Sequence, residues 1–536
     1  MTHRVMLIGL DAGTFSLLDP LMEEGAMPYL KKMMASGVRA ELRSVVPPLT
    51  PPGWTSLMTG RSPGYHGITN FFQFGSPHTR YLKLISSREN SCETLWSMVG
   101  RQGMRSVCLN FPAMYPPPST PGYVISGWVP WRWVRTSCYP PNLLDRLKVA
   151  LPGLDPKQLA VDFGEEGKGV EGCGKEEYEP WILHHIQRER QWFHVLRYLM
   201  QEDPCHLTAI VFDGVDRLQH LCWTFLDAAY RPEAPSPWYQ RIRALCLEYF
   251  RQLDEFIGEI VALAGPNAYV FVVSDHGAGP STDIFYINEW LRQQGYLTWV
   301  DGIQEQVEKE PGMGFGNPNY HIRILDWKRT TAYASTVASN GIFIPVAGER
   351  GEEGVPREKY ASFRSELVER LQQECVDPET GAALVKRIWT REEAFAGPYM
   401  YRGPDLTLQL WDGGHFSIRP SSVTLRRRSE VVGVHRLEGI FVAAGPSIRG
   451  GLSLSEVSIL DVAPTLLYAL GLSIPEDLEG RVVSEMFDSS FVRAHPVRIG
   501  ASTTASSEPL EQAVVVEDAE GQEQLMKKLG ALGYIE

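Results

Sequence analysis

An α/β fold on a largely parallel central sheet is what this sequence predicts, on three observations. Four apolar runs of strand length recur, at residues 5–10, 209–212, 268–273 and 440–444. They are continuous rather than alternating, as strands buried on both faces are. Segments with helical spacing lie between them, at 17–34, 192–200 and 239–263. Three of the runs also lead into aspartates, and open α/β sheets place their ligands at the carboxyl ends of strands.

The first run, Arg4-Val5-Met6-Leu7-Ile8-Gly9-Leu10, closes on Asp11. Taken alone, Asp11 reads as a cap for the following helix. Next, Leu49-Thr50-Pro51-Pro52-Gly53-Trp54-Thr55 reads as an extended arm turning into a helix. Thr50 suits the N-cap and Pro51 the first helical position. A hydroxyl there feels the positive helix end, and a bound cation would acidify it further. Plain capping is the competing reading.

The run Ala209-Ile210-Val211-Phe212 enters Asp213-Gly214-Val215-Asp216-Arg217-Leu218-Gln219-His220. Asp216 and His220, four apart, share one helix face and can grip one ion. Asp213 competes with Asp216, and the spacing to His220 favours Asp216. The third run ends in Ser274-Asp275-His276-Gly277, a pairing ill suited to a core but well suited to a divalent ion. His435 stands in the glycine-flanked loop Gly433-Val434-His435-Arg436-Leu437-Glu438-Gly439, just before the fourth run.

Taken in order, these segments resemble the alkaline phosphatase superfamily. Within it they resemble the type I phosphodiesterase/nucleotide pyrophosphatase branch and the related predicted phosphohydrolase/phosphomutase group. The resemblance runs from Val5 to about Val482. It is carried by Thr50-Pro51-Pro52-Gly53-Trp54-Thr55-Ser56, Pro63-Gly64-Tyr65-His66-Gly67, Asp216-Arg217-Leu218-Gln219-His220, Ser274-Asp275-His276-Gly277, His435-Arg436-Leu437-Glu438-Gly439 and Asp461-Val462-Ala463-Pro464-Thr465. It implies two divalent metal ions, usually zinc. One would be held by Asp11, Asp275, His276 and the Thr50 oxygen, the other by Asp216, His220 and His435. Mixed nitrogen and oxygen ligands suit zinc and also admit manganese. The resemblance further implies that Thr50 attacks phosphorus, giving a phospho-threonine that metal-activated water hydrolyses.

One departure stands out. Nucleotide pyrophosphatases of this kind usually carry Asn three residues after the nucleophile, where this chain has Gly53. Asn110, after another strand-like run, is a candidate substitute for binding the phosphoryl group, and shaping the turn before Pro112 is the rival reading. No Cys-x-Pro-x-Arg stretch accompanies the nucleophile, which argues against a formylglycine sulfatase.

Residues 1–277 and 433–498 are expected to form the alkaline-phosphatase-like core, with an insertion around 61–204. Residues 278–432 are expected to form a cap over the site. Residues 499–536 read as an Ala/Ser/Thr-rich linker and a C-terminal helix, with apolar positions Leu525, Met526, Leu529 and Leu532. The formal net charge of −13 argues against binding nucleic-acid backbones. It leaves anionic substrates open, because a metal dominates its local field.

No apolar stretch approaches the ~20 residues of a membrane span. Met1-Thr2-His3-Arg4 runs straight into a core strand, and the eight cysteines are scattered singly, so a cytoplasmic protein with reduced thiols is expected. The expected activity is a phosphodiesterase or nucleotide pyrophosphatase on a small phosphorylated substrate. A phosphomonoesterase or phosphomutase on the same site and a catalytically silent binding protein are the alternatives. Trp128, Trp131 and Trp133 could frame a hydrophobic or aromatic substrate, and a strand face shared by Trp131 and Trp133, with Trp128 packed nearby, explains them equally well. Arg426-Arg427-Arg428 reads as a solvated face that could attract an anionic leaving group.

Overall fold

The computed structural model describes residues 3–75, 79–162, 173–303, 305–306, 318–349 and 353–503. Its centre is a nine-stranded sheet. The strands are β1 (Val5–Leu10), β2 (Val38–Arg43), β3 (Ser106–Leu109), β4 (Gly122–Ile125), β5 (Cys138–Tyr139), β6 (Leu207–Phe212), β7 (Tyr269–Val273), then β11 (Glu438–Ala444) and β12 (Leu452–Ser458). Between β7 and β11 the chain forms β8 (Gly277–Tyr286), β9 (Gly414–Ser417) and β10 (Leu425–Arg436), a separate three-stranded sheet. The central order is β12-β2-β11-β7-β1-β6-β3-β4-β5, and all but β11 and β5 run parallel to β1. The predicted α/β class and largely parallel sheet are therefore what the chain adopts.

The continuity of the apolar runs has its expected cause. Met6, Ile8 and Leu10 of β1 join one core cluster, and Val5 and Leu7 join the cluster on the opposite face. Helices α1 (Phe15–Glu23), α2 (Pro28–Ser36), α4 (Tyr178–Glu202), α5 (Gly214–Leu226) and α6 (Pro237–Ala264) supply the first cluster. Helices α3 (Thr50–Thr59) and α7 (Val462–Ala469) supply the second. A third cluster gathers residues 285–418 with Leu49, Phe71, Phe72, Leu82 and Val161.

Two local expectations are corrected. The helical spacing at 17–34 belongs to two helices, because Met27, ahead of Pro28, is held out of the helical region at φ −131°, ψ 64°. Trp131 and Trp133 lie in a short 3₁₀ turn (Trp131–Trp133), not on a strand. Trp133 stacks on Tyr115 at 5.0 Å, Trp128 stacks on Phe71 at 5.6 Å, and Trp131 is exposed. The apolar positions at 192–200 and 239–263 fall inside α4 and α6.

The linker beyond residue 503 and the helix expected at 522–532 lie outside the described residues. No helix among the described residues is long and apolar enough to cross a membrane. None of the eight cysteines forms a disulfide.

Candidate metal centre

Sheet order brings the acidic residues together. β7, β1 and β6 are neighbours, with Val273 in register with Gly9 and Phe212 with Leu10. Asp11, Asp275 and the head of α5 therefore emerge side by side at one edge. Asp11 N–H donates to Phe212 O at 3.1 Å, and Ala12 N–H donates to Asp275 Oδ1 at 3.2 Å. Trp54 of α3 lies over Gly9, where a Cβ would come within 2.4 Å of the indole. That close approach lets Trp54 Nε1 donate to Asp11 Oδ2 at 3.3 Å.

The histidines arrive by a second device. β8, directly after His276, pairs antiparallel with β10, placing Ala278 opposite His435 and Gly277 opposite Arg436. The rings of His276 and His435 then stack at 3.9 Å. His220, one helical turn beyond Asp216, meets them from α5.

All three rings are oriented alike. His276 Nδ1 lies 3.0 Å from Gly277 O, His220 Nδ1 2.8 Å from Gly433 O, and His435 Nδ1 3.1 Å from Pro48 O. A carbonyl only accepts, so each Nδ1 carries a hydrogen, and in the neutral ring that leaves Nε2 with the lone pair. Metal-binding imidazoles are commonly held in this way.

The Nε2 atoms also crowd against carboxylates and one another. His276 Nε2 is 3.2 Å from Asp275 Oδ2 and 3.7 Å from Asp11 Oδ1. His220 Nε2 and His435 Nε2 are 3.2 and 3.3 Å from Asp216 Oδ1, and 3.2 Å from each other. Asp11 Oδ1 and Asp275 Oδ2 are buried with no hydrogen-bond partner among the described residues. Electron-rich atoms this close repel unless a cation or proton stands between them.

Accordingly burial, with neighbouring carboxylates adding to it, pushes Asp11 and Asp275 well above the ordinary carboxylate range. Burial pushes His276 well below, and His435 below, the ordinary imidazole value. Two ligand groups fit a metal ion: Asp11, Asp275 and His276, and Asp216, His276 and His435. His276 stands between them, and His220 joins the second through its contacts with Asp216 and His435.

Thr50 faces this cluster, its Oγ1 3.2 Å from His276 Nε2. It is the first residue of α3 rather than its cap. Leu49 holds the cap position, and no side-chain cap bond forms. Pro51 and Pro52 lack N–H groups and Gly53 N–H bonds Leu49 O at 2.8 Å, so this helix start offers few free amides to an anion. A Cβ on Gly53 would lie 3.0 Å from both Cβ and O of Asp275. Glycine at this position lets α3 rest directly on the strand end that carries Asp275.

The other candidates sort clearly. Asp213 pairs with buried Arg188, while Asp216 Oδ2 accepts from Arg217 at 2.7 Å. Asn110 is buried at φ 62°, one amide hydrogen spent on Val211 O at 2.9 Å and its Oδ1 3.5 Å from Arg188. His66 braces α3 through Ser56 Oγ at 2.9 Å.

Sequence reading missed the supports, Trp54 on Asp11, Arg217 on Asp216 and Ser44 Oγ on Asp275 O at 2.5 Å. Gly9 next to the first strand's end is the one signal that could have pointed to a close-packed neighbour. Also missed was a cavity that opens beside His220 and His435, with Trp389, Trp411, Phe416, Arg428 and Arg436 in its wall.

The comparisons agree with this architecture. The profile described as type I phosphodiesterase/nucleotide pyrophosphatase matches residues 5–435. No curated protein matches the sequence. Human ectonucleotide pyrophosphatase/phosphodiesterase 5 is 14% identical and superimposes with a TM-score of 0.51, over 91% of this chain and 100% of that one. An inactive form of the murine protein in complex with AMP gives 13% identity and TM-score 0.51 over the same shares. Phosphonoacetate hydrolase from Sinorhizobium meliloti 1021 gives 17% identity and TM-score 0.47, over 88% of this chain and 95% of that one.

Proposed function

We propose that this chain, which belongs to the type I phosphodiesterase/nucleotide pyrophosphatase family and is a phosphoester hydrolase of that type, cleaves small phosphodiesters through Thr50. The observation that carries the reading is the convergence of three Nε2 lone pairs and three buried carboxylates beside one hydroxyl. The donor set suits two divalent ions, zinc first and manganese second, held by Asp11, Asp216, His220, Asp275, His276 and His435. When bound, such ions would acidify the Thr50 hydroxyl and balance the charge on a phosphoryl group.

Thr50 Oγ1 gives up its proton and bonds to phosphorus as the bond to one ester oxygen breaks. That oxygen leaves with its electron pair and takes up a proton. Water then attacks phosphorus, releasing the phosphate monoester and returning the proton to Thr50. Burial of Thr50 keeps bulk water from the nucleophile. Trp54 and Ser44 hold the Asp11 and Asp275 ends of the site, and the three carbonyl contacts fix the imidazoles. The cavity beside His220 and His435 gives room for a second substituent on phosphorus, which favours a diester over a monoester. AMP in the murine relative supports a small phosphorylated substrate. Eight cysteines without a disulfide support a cytoplasmic location.

The test is Thr50→Ala on protein stripped of metal and reloaded separately with zinc and manganese. Turnover of bis-p-nitrophenyl phosphate should fall about a thousandfold or more, with metal content unchanged. Undiminished turnover would remove Thr50 from the reaction. Faster cleavage of p-nitrophenyl phosphate than of the diester would move the reading to a monoesterase or mutase.

A further inference from the structure

The cavity beside His220 and His435 has a chemistry that diester hydrolysis alone does not require. Much of its wall is apolar, with Pro47, Leu49, Leu408, Trp389, Trp411 and Phe416. Into the same wall come two guanidinium groups, those of Arg428 and Arg436.

Arg436 is the telling one. Its Nη1 donates to His435 O at 3.1 Å, and its Nη2 donates to Pro280 O at 2.9 Å and to Asp412 O. Three carbonyls fix the direction of the fork but supply no charge. Among the described residues no carboxylate forms an ion pair with Arg436. Asp412, in the same wall and paired with Lys386 at 3.0 Å, and Glu438 act on this cation only from beyond ion-pair distance. A half-buried guanidinium in a largely apolar wall is costly unless something anionic comes closer.

Arg428 adds to the same field, with its Nε donating to Ser281 Oγ at 3.2 Å. Its neighbour Arg427 is spent elsewhere, on Asp283 and Asp377 at 2.9 and 2.6 Å. The basic run expected as a solvated face is thus divided between two jobs. His415, on the same wall, is held well below its ordinary pKa by burial and then by Arg428, so it adds no positive charge of its own.

We propose that this cavity receives the substituent that extends from the phosphoryl group across His220 and His435, and that this substituent is an apolar group ending in a second anion, bound by Arg436 with Arg428. The inference rests on the phosphodiesterase reading above. It narrows the substrate to amphipathic diesters with a carboxylate or phosphate beyond the apolar part. Aromatic walls hold the apolar part by area and stacking, and the guanidinium fork selects the charge.

The experiment compares two diesters that share the p-nitrophenyl group. One carries phenyl as its second substituent and the other 4-(carboxymethyl)phenyl. The metal-loaded full chain should show kcat/KM about tenfold higher on the acidic diester, the worth of one charge-assisted hydrogen bond. Arg436→Gln should bring that ratio towards one, chiefly by raising KM for the acidic diester. Rising salt should erode the preference of the unaltered protein, a readout that needs no variant. Equal kcat/KM on the two diesters, or a preference indifferent to both salt and Arg436, would overturn the anion site and leave the phosphodiesterase reading standing. Hydrolysis of neither diester would overturn the parent reading itself, and this one with it.

Discussion

Two groups of buried carboxylates share the head of α5, and they are balanced in opposite ways. In the first, Asp213 is paired with the buried Arg188 guanidinium. Beside it Glu189 Oε1 accepts from Gly214 N–H at 2.7 Å and from the Tyr249 hydroxyl at 3.1 Å. Burial, and then the charge of Asp213, pushes Glu189 up to about 8, so it keeps its proton at neutral pH. That group is closed. In the second, Asp11, Asp216 and Asp275 have one guanidinium, Arg217 on Asp216, and imidazoles that present lone pairs. Asp213 is settled by an arginine, whereas a few residues away Asp11 and Asp275 have no arginine and are pushed well above the ordinary carboxylate range. That contrast supports reading the first group as scaffold and the second as the proposed metal site.

The largest effects expected are those that exchange these roles. Asp275→Asn should lower kcat/KM about a thousandfold and reduce bound divalent ion, with little loss of fold stability in the metal-free protein, because it takes a carboxylate from no arginine and keeps an acceptor for Ala12 N–H. Asp213→Asn should do the reverse. It leaves Arg188 buried without its partner, at a cost of about 3–5 kcal/mol, while metal content is kept. Metal analysis beside thermal unfolding of both variants reads the contrast. Loss of metal from the Asp213 variant and not from the Asp275 variant would invert the assignment.

A smaller effect should follow at Gly53, where the site and its scaffold touch. A methyl group at this position sits 3.0 Å from Asp275 Cβ and O. Gly53→Ala should therefore shift α3 or the Asp275 strand end, costing about 1–3 kcal/mol and part of the turnover. Gly53→Asn, which restores the residue usual in nucleotide pyrophosphatases of this kind, should lower activity further rather than improve it. A gain on nucleotide diesters in Gly53→Asn would show that the contact is soft and that phosphate binding was the missing part.

Much of this was legible in the sequence because it rests on short-range pattern. Continuous apolar runs located β1, β6, β7 and β11 to within a residue or two at each end, since burial on both faces leaves no polar alternation to blur them. The spacing on one helix face favoured Asp216 over Asp213, and in the structure Asp216 Oδ1 lies 3.2 Å from His220 Nε2 while Asp213 pairs with Arg188. What stayed hidden depends on partners distant in sequence. Nothing near Asp213 announces Arg188, which arrives from another helix. Local pattern alone left Thr50 open between cap and nucleophile, since the atom its hydroxyl faces, on His276, is 226 positions away. The single helix read at 17–34 failed at Met27, where the restriction imposed by the next proline outweighed the apolar period. Arg427 and Arg428 are neighbours with opposite duties because a strand turns successive side chains to opposite faces. A composition count sees only a basic run.

The smallest effect tests the closed group alone. Glu189 holds its proton in the folded chain up to about pH 8, whereas in the unfolded chain it loses that proton near the ordinary glutamate value of about 4.3. Between these values the native state binds the extra proton, so stability falls as pH rises, by about 1.4 kcal/mol per pH unit, and levels off above pH 8. For a chain of this size that slope is about 1 °C in Tm per pH unit. Glu189→Gln keeps an acceptor for Gly214 N–H and the Tyr249 hydroxyl but has nothing to titrate. Its Tm should decline less steeply from pH 5 to pH 8, and above pH 8 the variant should be the more stable protein. Metal content should not change, because Glu189 contributes no atom to the open group. Parallel Tm profiles for the two proteins would mean that Asp213 and Arg188 already settle the charge, and that Glu189 is ionised beside them.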